Sequence, residues 1–130
     1  MRKYLLDSSF VIALLNEIAD NDAGPALNWL TRNPRAQLWI SPVTLAEVLE
    51  GADSPEATKN YLARYAWQGV HRMQAEKAAL KQRRAAHRMG ENDAWQAAIA
   101  ECMKSVVLGH DSAFAVLGTG YEDFSAQNLL

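Results

Sequence analysis

The stretch YLLDSSFVIALL, residues 4–15, decides how the rest of the chain is read. Tyr4-Leu5-Leu6 reads as a short buried strand, Asp7-Ser8-Ser9 ends it, and Phe10 to Leu15 reads as a helix. A strand that passes through a polar turn straight into a helix is the opening unit of an α/β fold. It also sets an acid, Asp7, at the carboxyl end of that strand, where open α/β sheets build their sites.

The same alternation continues outward. Pro25 to about Arg32 reads as a helix, with Pro in its first turn and Asn33-Pro34 as its stop. Gln37 to Ile40 is a second strand. Ser41-Pro42 starts a helix with a capping serine and an N1 proline, and Gly51 ends it. Pro55 opens a helix to about Tyr65, and Ala66 to Val70 reads as a third strand. A longer helix is expected from about Met73 to Met89, stopped by Gly90, and another from Asn92 or Asp93 through Met103. Ser105 to Leu108 is a fourth strand, Asp111 to Val116 a short helix, and Tyr121 to Phe124 a weak last strand. Strands alternating with helices argue for a mostly parallel sheet. The 130 residues fit one domain, 1–130, with no internal repeat and no low-complexity tract.

Composition narrows the classes. Apolar residues make up 49% and charged residues 22%, which excludes a disordered chain. The net charge of -2 is unlike a strongly basic duplex-binding module. It does not exclude a metal nuclease, because bound cations offset acidic ligands locally. No secretory leader and no membrane-length apolar run is read, and the lone Cys102 favours a reducing compartment, most simply the cytoplasm.

Four acids fall at the carboxyl edge of the expected sheet. Asp7 follows the first strand, and Asp111 follows the fourth by a short turn. Glu47 lies in the helix after the second strand, and Asp93 opens the helix that precedes the fourth. Carboxylates brought this close repel one another, and hard cations such as Mg²⁺ or Mn²⁺, which prefer oxygen ligands, relieve that repulsion. Each acid also has a purely structural explanation. Asp7 and Asp111 can cap helices, Asp93 is a first-turn acid, and Glu47 stands three residues after Thr44 at capping-box spacing. The four together point to a site.

Four stretches, YLLDSSFVIALL (4–15), SPVTLAEVLEG (41–51), ENDAWQAAIA (91–100) and VVLGHDSAF (106–114), give the chain a family likeness. In their order and separations the sequence resembles the PIN-domain family, and within it the VapC-like toxin ribonucleases. The resemblance spans nearly the whole chain. It implies a three-layer α/β/α sandwich around a mostly parallel sheet and Mg²⁺- or Mn²⁺-dependent hydrolysis of RNA. It further implies an antitoxin partner and a homodimer. By motif, Asp7, Glu47, Asp93 and Asp111 are the metal-binding and catalytic acids, and Ser8 or Ser9 takes the small polar position after the first of them. One departure is visible. The family commonly has Thr or Ser two residues before its last acid, and this chain has Gly109, so a hydroxyl contact beside Asp111 is expected to be missing.

Other features divide between function and packing. Lys77, Lys81, Arg83, Arg84, His87 and Arg88 could track an RNA backbone, but a solvated helix face explains them more simply. His110, beside Asp111, is a candidate substrate contact. Trp29, Trp39, Trp67, Trp95 and Cys102 read as core or interface residues. The Phe10–Leu15 helix and the helices near residues 25 and 60 could form a groove for an amphipathic partner. Two rival chemistries use Asp7 as a phosphoryl acceptor. A haloacid-dehalogenase-like pattern needs a second Asp where Ser9 stands, and a receiver domain needs a pair of acids near this strand end. A weakly catalytic binding module acting through a partner complex is the alternative from another class.

Overall fold

The computed structural model describes residues 2–126. Five strands, β1 (Lys3–Leu6), β2 (Gln37–Ile40), β3 (Ala66–Trp67), β4 (Val106–Gly109) and β5 (Tyr121–Asp123), form one sheet in the order β3-β2-β1-β4-β5. Every pairing is parallel. The central strand β1 alternates its side chains between two cores, as strand geometry requires. Tyr4 and Leu6 join Phe10, Leu14 and Trp29 on one face. Leu5 joins Val107, Ala97, Ile99 and Phe114 on the other. Helices α1 (Ser8–Asp20), α2 (Pro25–Arg32), α3 (Pro42–Glu50) and α4 (Pro55–Leu62) contribute side chains to the first core, and α6 (Glu91–Cys102) to the second. Helix α5 (Arg72–Arg84) packs on α6. The result is the three-layer α/β/α sandwich with a parallel sheet that the sequence predicts.

The boundaries differ at points where tertiary contacts override local pattern. Helix α1 begins at Ser8 and runs to Asp20, well beyond Leu15, and ends on Asn21 in the left-handed region. Glu17 on its last turn accepts from the amides of Gly24, Ala26 and Leu27, which caps α2 from outside and explains the extension. Helix α4 stops at Leu62, and the third strand is two residues long at the sheet edge. The expected 73–89 helix ends at Arg84. The segment after it is held instead by Gln82, whose amide donates to the Met89 carbonyl at 2.8 Å and accepts from the Met89 amide at 2.9 Å. Stacking Lys81, Arg84, His87 and Arg88 on one continued helix would also set like charges a turn apart. The last helix is a 3₁₀ segment, Ser112–Gly120, broken at Gly118, whose φ of 56° needs a glycine. Of the four tryptophans read as core or interface residues, Trp29 is core, Trp39 and Trp95 are half-buried, and Trp67 is 51% exposed. Cys102 is half-buried, as its spacing from Ile99 and Met103 predicts.

Candidate metal centre

The order reversal of the sheet falls between β1 and β4, and Asp7 and Asp111 lie just past the carboxyl ends of those strands. Asp7 is buried, and its amide donates to the Leu108 carbonyl at 2.9 Å, which ties the two strand ends together. Its carboxylate caps α1, accepting from the Ser9 amide at 3.2 Å and the Ser9 hydroxyl at 2.7 Å. Asp111 caps the 3₁₀ segment by accepting from the Ala113 amide. Asp93 sits in the first turn of α6. Three of the four acids therefore hold the structural positions read for them, and the same backbone ends bring them toward one another. Glu47 does not: Ser41 caps α3, and Glu47 stands inside the helix.

What joins the elements is a buried polar network beneath the acids. The Ser41 hydroxyl donates to the Gln96 side-chain oxygen at 2.5 Å, and the Gln96 amide donates to the Thr44 hydroxyl at 2.7 Å. Thr44 in turn donates to the Leu6 carbonyl at 2.7 Å. All three side chains are buried, so each polar atom needs a partner. The network locks the residue before Asp7 to the start of α3, which carries Glu47, and to α6, which carries Asp93. Ser41 was legible as a cap, whereas Thr44 and Gln96 were missed. The one available signal was that Gln96 lies one turn after Asp93, on its face of the helix.

The electrostatics record the convergence. Burial, then the charges of Asp111, Asp7 and Glu47, raise the Asp93 carboxyl to about 6. Burial raises Glu47 too, and the Asp7 charge adds to it, while the polar side chains of Asn92 and Ser8 pull the other way. As placed, no three His, Cys, Asp or Glu side chains among the described residues stand close enough to close on one ion. The fit of a metal rests on the donor set. Oxygen donors without a thiolate suit a hard divalent cation, and such a charge would relieve the repulsion that raises Asp93.

Gly109 proves to be a requirement of packing. A Cβ there would lie 2.9 Å from the Asp7 Cβ and 3.0 Å from the Ser9 hydroxyl. The space a side chain at 109 would need holds the Ser9 hydroxyl of α1, which contacts Asp7 and not Asp111. Ser9 donates to Asp7 and accepts from the His110 amide at 2.9 Å. The His110 ring is exposed, with Nδ1 3.1 Å from both Asp123 carboxylate oxygens and 2.9 Å from the Ser125 hydroxyl. Neither Asp123 nor Ser125 was singled out in the sequence. Ser8 flanks Glu47, and Ser9 flanks Asp7.

Half of the residues read as a basic helix face pair locally. Lys77 and Lys81 both pair with Glu101, and Arg88 pairs with Glu91. The apolar groove lies between α1, α3 and α4, lined by Ile12, Leu15, Val48 and Tyr61, and α2 takes no part in it.

A parallel β3-β2-β1-β4-β5 sheet between helical layers, with carboxylates gathered at its carboxyl edge, is the architecture of a PIN domain. The chain belongs to the PIN-domain family, whose model matches residues 4–119. Solved structures share the fold at low identity. A toxin–antitoxin complex from Klebsiella pneumoniae is 23% identical with a TM-score of 0.75, over 93% of this chain and 97% of that one. VapBC-1 from nontypeable Haemophilus influenzae is 20% identical with a TM-score of 0.72, over 95% and 99%. FitAcB from Neisseria gonorrhoeae is 15% identical with a TM-score of 0.73, over 93% and 97%. No curated protein matches the chain in sequence. No helix among the described residues is long and apolar enough to cross a membrane.

Proposed function

We propose that the chain is a Mg²⁺- or Mn²⁺-dependent endoribonuclease and the toxin half of a toxin–antitoxin pair. The observation that carries this reading is Asp93, a half-buried carboxyl raised to about 6 with three further acids contributing their charge. Asp7, Glu47, Asp93 and Asp111 would hold the cation. When bound, such a cation supplies Lewis-acid charge to a phosphodiester and lowers the pKa of water. The protein's own part is positional. The Ser41–Thr44–Gln96 network fixes the three elements that carry Asp7, Glu47 and Asp93, and Ser9 holds the Asp7 carboxylate in one orientation. His110, aimed by Asp123 and Ser125, contacts the substrate beside Asp111.

An antitoxin is the partner that fits the groove between α1, α3 and α4. Ile12 stands 45% exposed there among Leu15, Val48 and Tyr61, a surface suited to an amphipathic helix. The similar structures from Klebsiella pneumoniae and Haemophilus influenzae are a toxin–antitoxin complex and VapBC-1, which supports the pairing. Exposed Leu80 and Val116, which line one cleft, suit a homodimer. With RNA as substrate, the work is cytoplasmic.

The test incubates the purified chain with mixed RNA and Mn²⁺, with and without chelator, beside Asp7→Asn. Asparagine still caps α1, so the variant keeps its fold. Cleavage by the wild type alone, and only without chelator, is expected. Full activity in Asp7→Asn or after exhaustive chelation would refute the reading. Metal binding without cleavage of any RNA would favour the binding module instead.

A further inference from the structure

Four of the chain's 13 lysines and arginines pair with a neighbouring acid among the described residues. Lys59 pairs with Glu56, Lys77 and Lys81 with Glu101, and Arg88 with Glu91. One place differs. Arg2, Arg32 and Arg35 line a single open cavity of 470 Å³ with Tyr4, Asn33 and Pro34, and no acid lines it. All three arginines are exposed, and none has a carboxylate within salt-bridge reach among the described residues. Arg2 and Arg32 also line an adjoining cavity with Glu122 and Asp123; Glu122 accepts from the Trp29 indole N–H, and Asp123 is engaged by Ser125 and His110.

The platform beneath these side chains is fixed by backbone contacts. The Gln37 amide donates to the Arg2 carbonyl at 3.0 Å, which ties the start of β1 to the start of β2. The turn from α2 to β2 closes on hydrogen bonds from the Asn33 amide to Leu30 and the Ala36 amide to Asn33. The Asn33 side chain also donates to the Trp29 carbonyl at 2.8 Å. A rigid backbone spares ordering cost on binding. Arg2 lies over the Tyr4 ring, its guanidinium 5.7 Å from the centroid. Three exposed arginines lining one cavity that no acid lines form a site for an oxyanion, and guanidinium geometry matches phosphate best.

We infer that Arg2, Arg32 and Arg35 form a second, phosphate-binding site, at the opposite edge of the sheet from the carboxylates. Asp7 is five residues along the strand from Arg2, roughly 16 Å at the rise of a β-strand. Helices cover both faces of the sheet, so a single RNA strand that reaches from the arginines to the acids passes over a helical layer. The phosphate comes from such a strand or from a free phosphate compound, and the former deepens the ribonuclease reading above.

The test measures binding, not cleavage, so it stands apart from the activity. Anisotropy of a labelled single-stranded RNA is recorded with excess chelator at varied salt. The wild type is compared with the Arg2→Ala/Arg32→Ala/Arg35→Ala variant and with a control, Arg83→Ala/Arg84→Ala, that removes charge elsewhere. The triple variant is expected to bind at least about tenfold more weakly at low salt, with a log–log salt slope shallower by about 2, since each single-strand phosphate contact contributes about 0.7. The control should shift less. Should the triple variant melt early, Arg32→Gln/Arg35→Gln replaces it, with an expected slope change of about 1.4. A parallel titration with inorganic pyrophosphate follows arginine side-chain NMR signals. Pyrophosphate binding without RNA binding assigns the site to free phosphate compounds. Equal RNA affinity and slope in wild type and triple variant with no pyrophosphate shifts, or an equal loss in the control, would overturn the inference.

Discussion

Replacing Asp93 with asparagine should stabilise the metal-free protein at neutral pH and leave it nearly unchanged in acid. Burial and the charges of Asp111, Asp7 and Glu47 raise this carboxyl from 3.8 to about 6. A rise of that size corresponds to roughly 3 kcal/mol of unfavourable interaction in the ionised form. Solvent reaches much of the side chain and screens it, so about 1–1.5 kcal/mol is the expected share. Asparagine also gives up the favourable charge at the start of α6, worth about 0.3–1 kcal/mol. The balance is a gain of about 0–1.2 kcal/mol, or a melting temperature higher by up to about 5 °C for a chain this size. The sign follows from linkage. A carboxyl raised in the folded state leaves the protein most stable below 3.8, and that stability is lost as pH rises through about 6. Urea unfolding followed by circular dichroism, with chelator, at about pH 4 and about pH 7.5 checks it. With saturating Mn²⁺ the order should reverse. The wild type would gain about 2.7 kcal/mol at a hundredfold excess over Kd, and the variant less. A variant less stable than wild type in chelator at neutral pH, or an equal difference at both pH values, would refute the reasoning.

Gly109→Ala forces a Cβ to within 2.9 Å of the Asp7 Cβ, so it should cost about 1–3 kcal/mol by chemical denaturation and lower RNA cleavage as well. Gln96→Leu leaves the buried Ser41 hydroxyl without its acceptor; a loss of about 1–3 kcal/mol is expected, with cleavage at a temperature well below the melt falling further than stability alone explains. Glu17→Ala strips the acceptor from three amides at the start of α2 and should cost about 1–2 kcal/mol with no change in cleavage. Burial works to raise Glu17, but those amide bonds outweigh it and hold the carboxyl below 4.5, so its contribution is present above that value and is lost as pH falls through the folded one. A melting curve for Glu17→Ala that differs from wild type as much in strong acid as at neutral pH would contradict this.

Local chemistry determined much of this protein. The apolar run Tyr4–Leu6 ending on Asp7, the Ser41-Pro42 start and Val106–Leu108 fixed the strands and helices that matter, because hydrophobic period, caps and prolines act over a few residues. The positions of Asp7 and Asp111 past strand ends, of Glu47 inside α3 and of Asp93 in the first turn of α6 were legible for the same reason. Tertiary structure decided the rest. Helix α1 runs to Asp20 because Glu17 caps a different helix, and α5 ends at Arg84 where Gln82 closes on Met89, and both depend on side chains reaching across turns. Glycine at 109 follows from Ser9, a residue a hundred positions away, filling the space a side chain would need. The Ser41–Thr44–Gln96 network joins three separate segments, and hydrogen bonding between buried groups leaves no period in a sequence. The raised Asp93 carboxyl depends in the same way on burial and on charges that only the folded sheet brings beside it.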